Sequence, residues 1–185
     1  MPSALLIIDV QKAILRGKGT AARQPAIDAA LDQMVNRLAE LQHLARARNL
    51  PVILVQHDGD PTHRLARGTD GWRIRGELKP AANDIVVQKA SCDSFFETDL
   101  QDRLKERGIS HLVVGGCMTQ FCVDTTCRRA VSLGYDVTLL GDGHMTGDMG
   151  DLSFRQIIAH HNALLDGFDA GAHAIRVAAA NEIQF

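Results

Sequence analysis

The sequence predicts a doubly wound α/β fold: a mainly parallel, six-stranded sheet with helices on both faces, a Rossmann-like three-layer α/β/α arrangement. Three observations predict it. Short continuous apolar runs have the length of strands buried on both faces. Amphipathic helical stretches separate them. The alternation of the two persists along the chain, which calls for right-handed crossovers between parallel strands. At 185 residues the chain can bury one well-formed core, so a single domain spanning 1–185 is expected.

ALLIIDV (Ala4–Val10) is the first apolar run and reads as a strand. From Pro25 to Asn49, Ile27, Leu31, Met34, Leu38, Leu41 and Ala45 recur every three or four residues, the stripe of an amphipathic helix. Pro51 marks its exit, and PVILVQH (Pro51–His57) is a second buried strand. The stretch Asp58–Pro80, rich in Gly, Asp and Arg, is long for a plain connection, and loops of that length are usually functional. DIVVQK (Asp84–Lys89) is a third strand, and DLQDRLKERG (Asp99–Gly108) a helix stopped by glycine. HLVVGG (His111–Gly116) is a fourth strand, Thr119–Gly134 a helix, and DVTLLGD (Asp136–Asp142) a fifth strand. The last helix runs from about Asp151 to Asp166, with an apolar stripe of Phe154, Ile157, Ile158, His161, Leu164 and Leu165. A short sixth strand is expected at Ala174–Val177.

In open α/β sheets ligands bind beyond the carboxyl ends of the strands. The polar groups there are Asp9, His57, Lys89, the Cys117–Cys122 turn and Asp142. Three of the four cysteines, Cys117, Cys122 and Cys127, fall in GGCMTQFCVDTTCRRA. Structural zinc cysteines come in closer pairs, and residues five apart diverge by about 140° around a helix, so a shared metal is not expected. Cys127 shares a stripe with Val123, Ala130 and Gly134 and reads as a buried hydrophobe. Cys117 either lines the site or packs, and Cys92 is read as packing. With Thr119 as N-cap, Cys122 sits at a helix N-terminus, where orphan N–H groups and the dipole lower a thiol pKa and could hold an oxyanion. Local sequence alone leaves Cys122 open between nucleophile and small packing residue. Asp9, emerging from an apolar run, has a general base's expected raised pKa, and Lys89 could stabilise charge. Read singly, Asp9 could equally cap its strand and Lys89 be an exposed lysine.

Composition narrows partners. Apolar residues make up 45% and charged residues 23%, with a formal net charge of −2, so nothing favours nucleic acid or anionic lipid. The opening MPSALLIIDV is too short and wrongly flanked for a signal peptide, and no 18-residue apolar run occurs. A cytoplasmic protein without a disulfide framework is expected. The adjacent His160 and His161 point to different helix faces and do not suggest a metal. Asp142 and His144 either line the pocket or cap a turn.

ALLIIDVQ, VVQKASCDSFFETDL and LVVGGCMTQFCVDTTCRRAVSLGYDVTLLGD together resemble the isochorismatase-like cysteine hydrolases, a superfamily that includes nicotinamidases and N-carbamoylsarcosine amidohydrolase. The resemblance runs in order from about Ala4 to Asp142. It implies an Asp-Lys-Cys triad of Asp9, Lys89 and Cys122, the cysteine being picked out by the pattern Gly116, Thr119, Cys122, Val123. It further implies a cis Cys117–Met118 peptide and an oxyanion hole of the Met118 and Cys122 N–H groups, with Gly115 and Gly116 permitting close backbone approach. Gln11, His57, Trp72 and Thr119 are the candidate substrate-binding residues; Trp72, in Gly68–Pro80, could wall the pocket or anchor a subunit. Where nicotinamidases carry a metal-binding Asp-x-His, this chain reads QHDGDPTH, so neither a metal nor a cofactor is expected. The partners implied are a small-molecule substrate and further copies of the chain, as a homodimer or homotetramer. The leading function is hydrolysis of a small amide, carbamoyl or ureido C–N bond through a Cys thioester. The alternatives are isochorismatase-type vinyl ether hydrolysis and a thiol redox sensor or ligand-binding protein on the same fold.

Overall fold

The computed structural model describes all 185 residues. Strands and helices alternate as β1 (Ser3–Ile8), α1 (Gln24–Ala47), β2 (Val52–His57), β3 (Ile85–Lys89), α2 (Leu100–Glu106), β4 (His111–Cys117), α3 (Asp124–Ser132), β5 (Asp136–Met145), α4 (Phe154–Leu165), β6 (Asp169–Ala170) and β7 (His173–Ala178). The strand order is β3-β2-β1-β4-β5-β7-β6. All pairings are parallel except β6 with β7. The sheet thus has seven strands rather than six. The extra one is a two-residue antiparallel strand in DA, too short to leave a periodic signal.

The alternation of side chains along β1 shows why its apolar run is continuous. Ala4, Leu6 and Ile8 enter one core with Leu100, Leu104, Val123 and Cys127 of the α2–α3 side. Leu5 and Ile7 enter the other, with Ile27, Leu31, Met34 and Leu38 of α1. Successive residues of a strand face opposite sides, so a doubly covered strand needs apolar residues at every position. The predicted α1 stripe is buried in full. The stripe predicted for α4 is buried only in part: Phe154, Ile157 and Leu165 are inside, whereas Leu164 is 46% exposed. The helix meets the sheet over a narrower arc than the apolar pattern suggested.

β5 runs on to Met145, beyond the expected Asp142, because the β4–β5 register jumps and brings Gly116 opposite His144. The glycine pair in β4 is a steric requirement. Gly116 has φ 126°, and a Cβ there would stand 2.1 Å from the Ile8 carbonyl oxygen; at Gly115 it would stand 2.7 Å from the Gly143 oxygen. Only residues without side chains let β1, β4 and β5 converge at their carboxyl ends.

Candidate active site

The strand order reverses at β1, so the crevice between the carboxyl ends of β1 and β4 is where this topology opens. Register aligns the ends: Ile8 faces Val55 and Gly116, and His57 faces Lys89. Asp9, one residue past β1, therefore shares an edge with His57, Lys89 and the turn after β4.

Asp9 turns the chain out of the sheet with φ 53°, a left-handed conformation that Asp tolerates better than most residues but still at some strain. Its N–H donates to the Val55 carbonyl at 2.9 Å. Its carboxylate is fully buried and lies 2.7 Å from the Lys89 ammonium, whose side chain is equally closed to solvent. Lys89 also donates to the Ser91 carbonyl at 2.7 Å. Beyond Lys89 and the Cys122 thiol, nothing in the protein donates to either Asp9 oxygen. Burial holds the Asp9 carboxyl above its usual range, an effect that the Lys89 charge offsets only in part. For Lys89, burial alone would lower the pKa, but the Asp9 charge and hydrogen bond, with the Cys122 sulfur adding to them, outweigh it and hold the ammonium protonated.

Cys122 is 9% exposed. Its thiol is pushed up from the ordinary cysteine value, first by burial and then by the negative charge of Asp9, with Lys89 pulling back only partly. This corrects the expectation of a depressed pKa. Thr119–Val123 forms a single π-helical turn whose N-cap position is Met118, and no side chain caps it. α3 proper starts only at Asp124, so Cys122 does not enjoy the exposed first turn of a regular helix. The resting site is therefore a thiol beside an ion pair, not a free thiolate. The Cys117–Met118 peptide is cis, at the bond the sequence resemblance implied. Cys117 and Cys127 are fully buried, with thiols raised by burial. Cys92, expected to pack, is exposed instead; its loop meets α3 through the backbone, the Cys92 carbonyl accepting from the Thr126 hydroxyl.

Two of the substrate-binding expectations change. Gln11 is fully buried and its amide is consumed: it donates to the carbonyls of His57 (3.0 Å) and Trp72 (2.7 Å) and accepts from the His57 N–H (3.0 Å). It clamps the end of β2 to the following loop, with both of its amide donors spent. Thr119 is not a helix cap either. Its hydroxyl meets His144 Nδ1 at 2.8 Å, His144 Nε2 meets Asn162 Oδ1 at 2.8 Å, and Asn162 Nδ2 donates to the Gly141 carbonyl at 2.9 Å. Since Asn162 donates through its nitrogen, its oxygen accepts from His144, and His144 in turn accepts from Thr119. Burial drops the His144 pKa to about 4, so the ring is neutral.

The other two expectations are placed at the edge. His57 lies beside Asp9 and Lys89, and its Nδ1 is buried without a hydrogen-bond partner. Burial lowers its pKa, so the neutral ring offers an open donor or acceptor. Trp72 is half-buried and tied down by its indole N–H, which donates to Asp58 Oδ1 at 2.7 Å, while its carbonyl accepts from Gln11 and Gln56. Asp142 accepts from the Ala180 N–H, a turn-capping role. The His57-Asp58-His63 region is not arranged for a metal. Asp58 is taken by Trp72, and His63 Nδ1 accepts from the Leu65 N–H. No group of three His, Cys, Asp or Glu side chains is placed to hold an ion.

Two residues at the site were not singled out from sequence. Arg64 is half-buried in the loop after β2, and its Nη2 approaches Met118 Sδ at 3.7 Å. Gln120, inside the π-helical turn, has a buried side-chain oxygen without a partner. Arg64 is one of four arginines between Arg64 and Arg75, and spacing alone gives no reason to prefer it. A surface cleft of about 380 Å³ beside Lys89 is bordered by Asp58, Arg67 and Phe96 but does not reach Cys122.

Comparison with known proteins identifies the family and the fold. Residues 3–178 match the isochorismatase domain family. The chain is similar to a streptothricin hydrolase of Streptomyces noursei, 34% identical over 79% of this chain but only 55% of that protein, so it spans about half of that relative's length. It is 27% identical to the ureidoacrylate amidohydrolase RutB of Yersinia enterocolitica, covering 78% of this chain and 76% of the relative. An isochorismatase of Pseudomonas putida superposes with a TM-score of 0.86 at 29% identity, covering 99% of this chain and 90% of that one. With nearly the whole chain matched, this protein belongs to the isochorismatase family of hydrolases.

Proposed function

We propose that this chain is a cysteine amidohydrolase that cleaves a C–N bond of a small amide, carbamoyl or ureido compound. The observation that carries the reading is the buried trio: a carboxylate with raised proton affinity, paired at 2.7 Å with a lysine and in contact with the thiol of Cys122. A thiol held protonated by burial needs a base next to it, and Asp9 is that base.

The reaction follows from these groups. Asp9 takes the Cys122 proton as sulfur attacks the substrate carbonyl, and the thiolate charge is balanced by Lys89. The carbonyl electron pair moves to oxygen, where the N–H groups of Met118 and Cys122 are the proposed donors. The Met118 amide lies outside the strand ladder and donates to none of the loop or cap hydrogen bonds. Collapse of the tetrahedral species breaks the C–N bond, and Asp9 gives its proton to the departing nitrogen. Water then attacks the thioester, Asp9 accepts a proton from it, and the carboxylic acid leaves as Cys122 regains its hydrogen. The raised proton affinity of Asp9 suits both halves of the cycle. His57, with its free Nδ1, is the proposed substrate contact.

Ammonia release from a panel of amides and ureido compounds tests this. Cys122→Ser is expected to lower turnover by on the order of a thousandfold or more while the circular dichroism and melting curves stay close to the parent. Full activity in that variant removes the thiol from the mechanism. Pyruvate release from a vinyl ether substrate by Cys122→Ser would move the reading to isochorismatase-type chemistry.

A further inference from the structure

Arg64 is a half-buried cation without a counter-ion. Its Nε donates to the Ile14 carbonyl at 3.0 Å, Nη1 lies 3.4 Å from His63 Nε2, and Nη2 lies 3.7 Å from Met118 Sδ. The loop's other arginines pair with acids: Arg67 with Asp58, Arg73 with Asp70, Arg75 with Asp32 and Glu77. Arg64 makes no such pair, although it is half-buried beside the turn that carries the nucleophile.

Its surroundings are positive. Lys18 stands close enough that the Arg64 charge lowers its proton affinity on top of the effect of burial. His63 feels both charges as well. The one group that would supply Arg64 with negative charge is Cys122, and only when its thiol is deprotonated. An unpaired guanidinium costs free energy to bury, and its planar fork of donors fits a carboxylate. Two of its three nitrogens are lightly engaged: Nη1 faces a histidine nitrogen at the limit of hydrogen bonding and Nη2 a weakly accepting thioether.

Building on the amidohydrolase reading, we infer that Arg64, with Lys18 beside it, is an anion-recognition site next to Cys122, and that the substrate is an acidic one: an amido or ureido acid whose carboxylate pairs with Arg64 while its amide carbonyl meets the thiol. Gln120, in the same turn, carries a buried side-chain oxygen without a partner. Selectivity then comes from charge at the Arg64 end. A neutral isostere leaves the guanidinium unpaired when water is excluded.

Two alkylating reagents test this without knowledge of the natural substrate. Iodoacetate carries the carboxylate, and iodoacetamide is its neutral counterpart. Rates at Cys122 are read by peptide mass spectrometry, with exposed Cys92 as the reference thiol in the same molecule. The iodoacetate-to-iodoacetamide rate ratio at Cys122 is expected to exceed that at Cys92 by on the order of tenfold, to fall to the Cys92 value in Arg64→Gln, and to recover in part in Arg64→Lys. It is expected to shrink as salt is raised. A ratio at Cys122 no greater than at Cys92, or one unmoved by Arg64→Gln, overturns the anion site and leaves the amidohydrolase reading intact. Failure of both reagents to modify Cys122, while Cys92 reacts, counts against the nucleophile itself. On the hydrolysis side, N-carbamoylglycine and succinamate are compared with their methyl esters. Arg64→Gln is expected to raise KM for the acids at least tenfold more than for the esters, and an equal effect on both overturns the inference.

Discussion

Two buried polar clusters flank the turn that carries Cys122, and they are built on opposite principles. On one side, Thr119, His144, Asn162 and the Gly141 carbonyl form a chain in which every donor meets an acceptor at 2.8–2.9 Å. No member is charged, since burial drops His144 to about 4. On the other side, Asp9, Lys89 and Cys122 are charged or chargeable, and the carboxylate keeps lone pairs that no backbone group fills. A saturated network fixes position, because any displacement breaks a hydrogen bond. An unsaturated one retains capacity to accept a proton or a ligand, at a cost in stability. The π-helical turn between them is held by the first and serves the second.

Breaking the charged cluster is expected to have the largest effect. Asp9→Asn removes both the proposed base and the counter-charge of a lysine with no exposure to solvent. It is expected to abolish turnover and to cost about 3–5 kcal/mol in denaturant unfolding, the penalty of a buried ion left alone. Asp9→Asn combined with Lys89→Met is expected to regain most of that stability but none of the activity. Additive losses in stability for the two substitutions would contradict the pairing.

The neutral chain should yield a smaller, differently shaped effect. Asn162→Leu leaves the His144 N–H and the Gly141 carbonyl unpartnered, a loss of about 1–3 kcal/mol. Turnover should fall less than tenfold, mostly in kcat, since the turn would be less well held. The chain also predicts a pH dependence. His144 has a folded pKa near 4 against an unfolded 6.5, so between those values the unfolded state binds a proton that the folded state refuses. Stability is therefore full above about pH 6.5 and declines as the pH falls toward 4, by on the order of 3 kcal/mol from this group. Melting curves across that window test the sign. A His144→Asn variant with an equally steep slope would reassign the effect.

The contrast also marks how much the sequence could show. The central strands were legible because doubly buried strands are apolar at every position, and Asp9 stood out as a polar residue ending such a run; Lys89 ends β3, an edge strand buried only at alternate residues. Cys127 was legible from its helical stripe. The roles of Gln11 and Thr119 were not, because a side chain that saturates a distant backbone carbonyl or a histidine 25 residues away leaves no local pattern. The thiol pKa was misread for the same reason: a helix N-terminus predicts depression, but burial and a neighbouring carboxylate depend on three strands meeting. Arg64 was hidden among similar arginines, and only its lack of an acidic partner in three dimensions distinguishes it.

The most direct test of the proposed chemistry is to mix the native protein with the amide and ureido-acid panel, quench in acid within a turnover, and map adducts by mass spectrometry. The expected result is an acyl or carbamoyl mass on the peptide containing Cys122, absent in Cys122→Ser and absent from Cys92, Cys117 and Cys127. Hydrolysis that proceeds at full rate with no adduct on Cys122, or that survives its replacement, would contradict thioester catalysis by this cysteine.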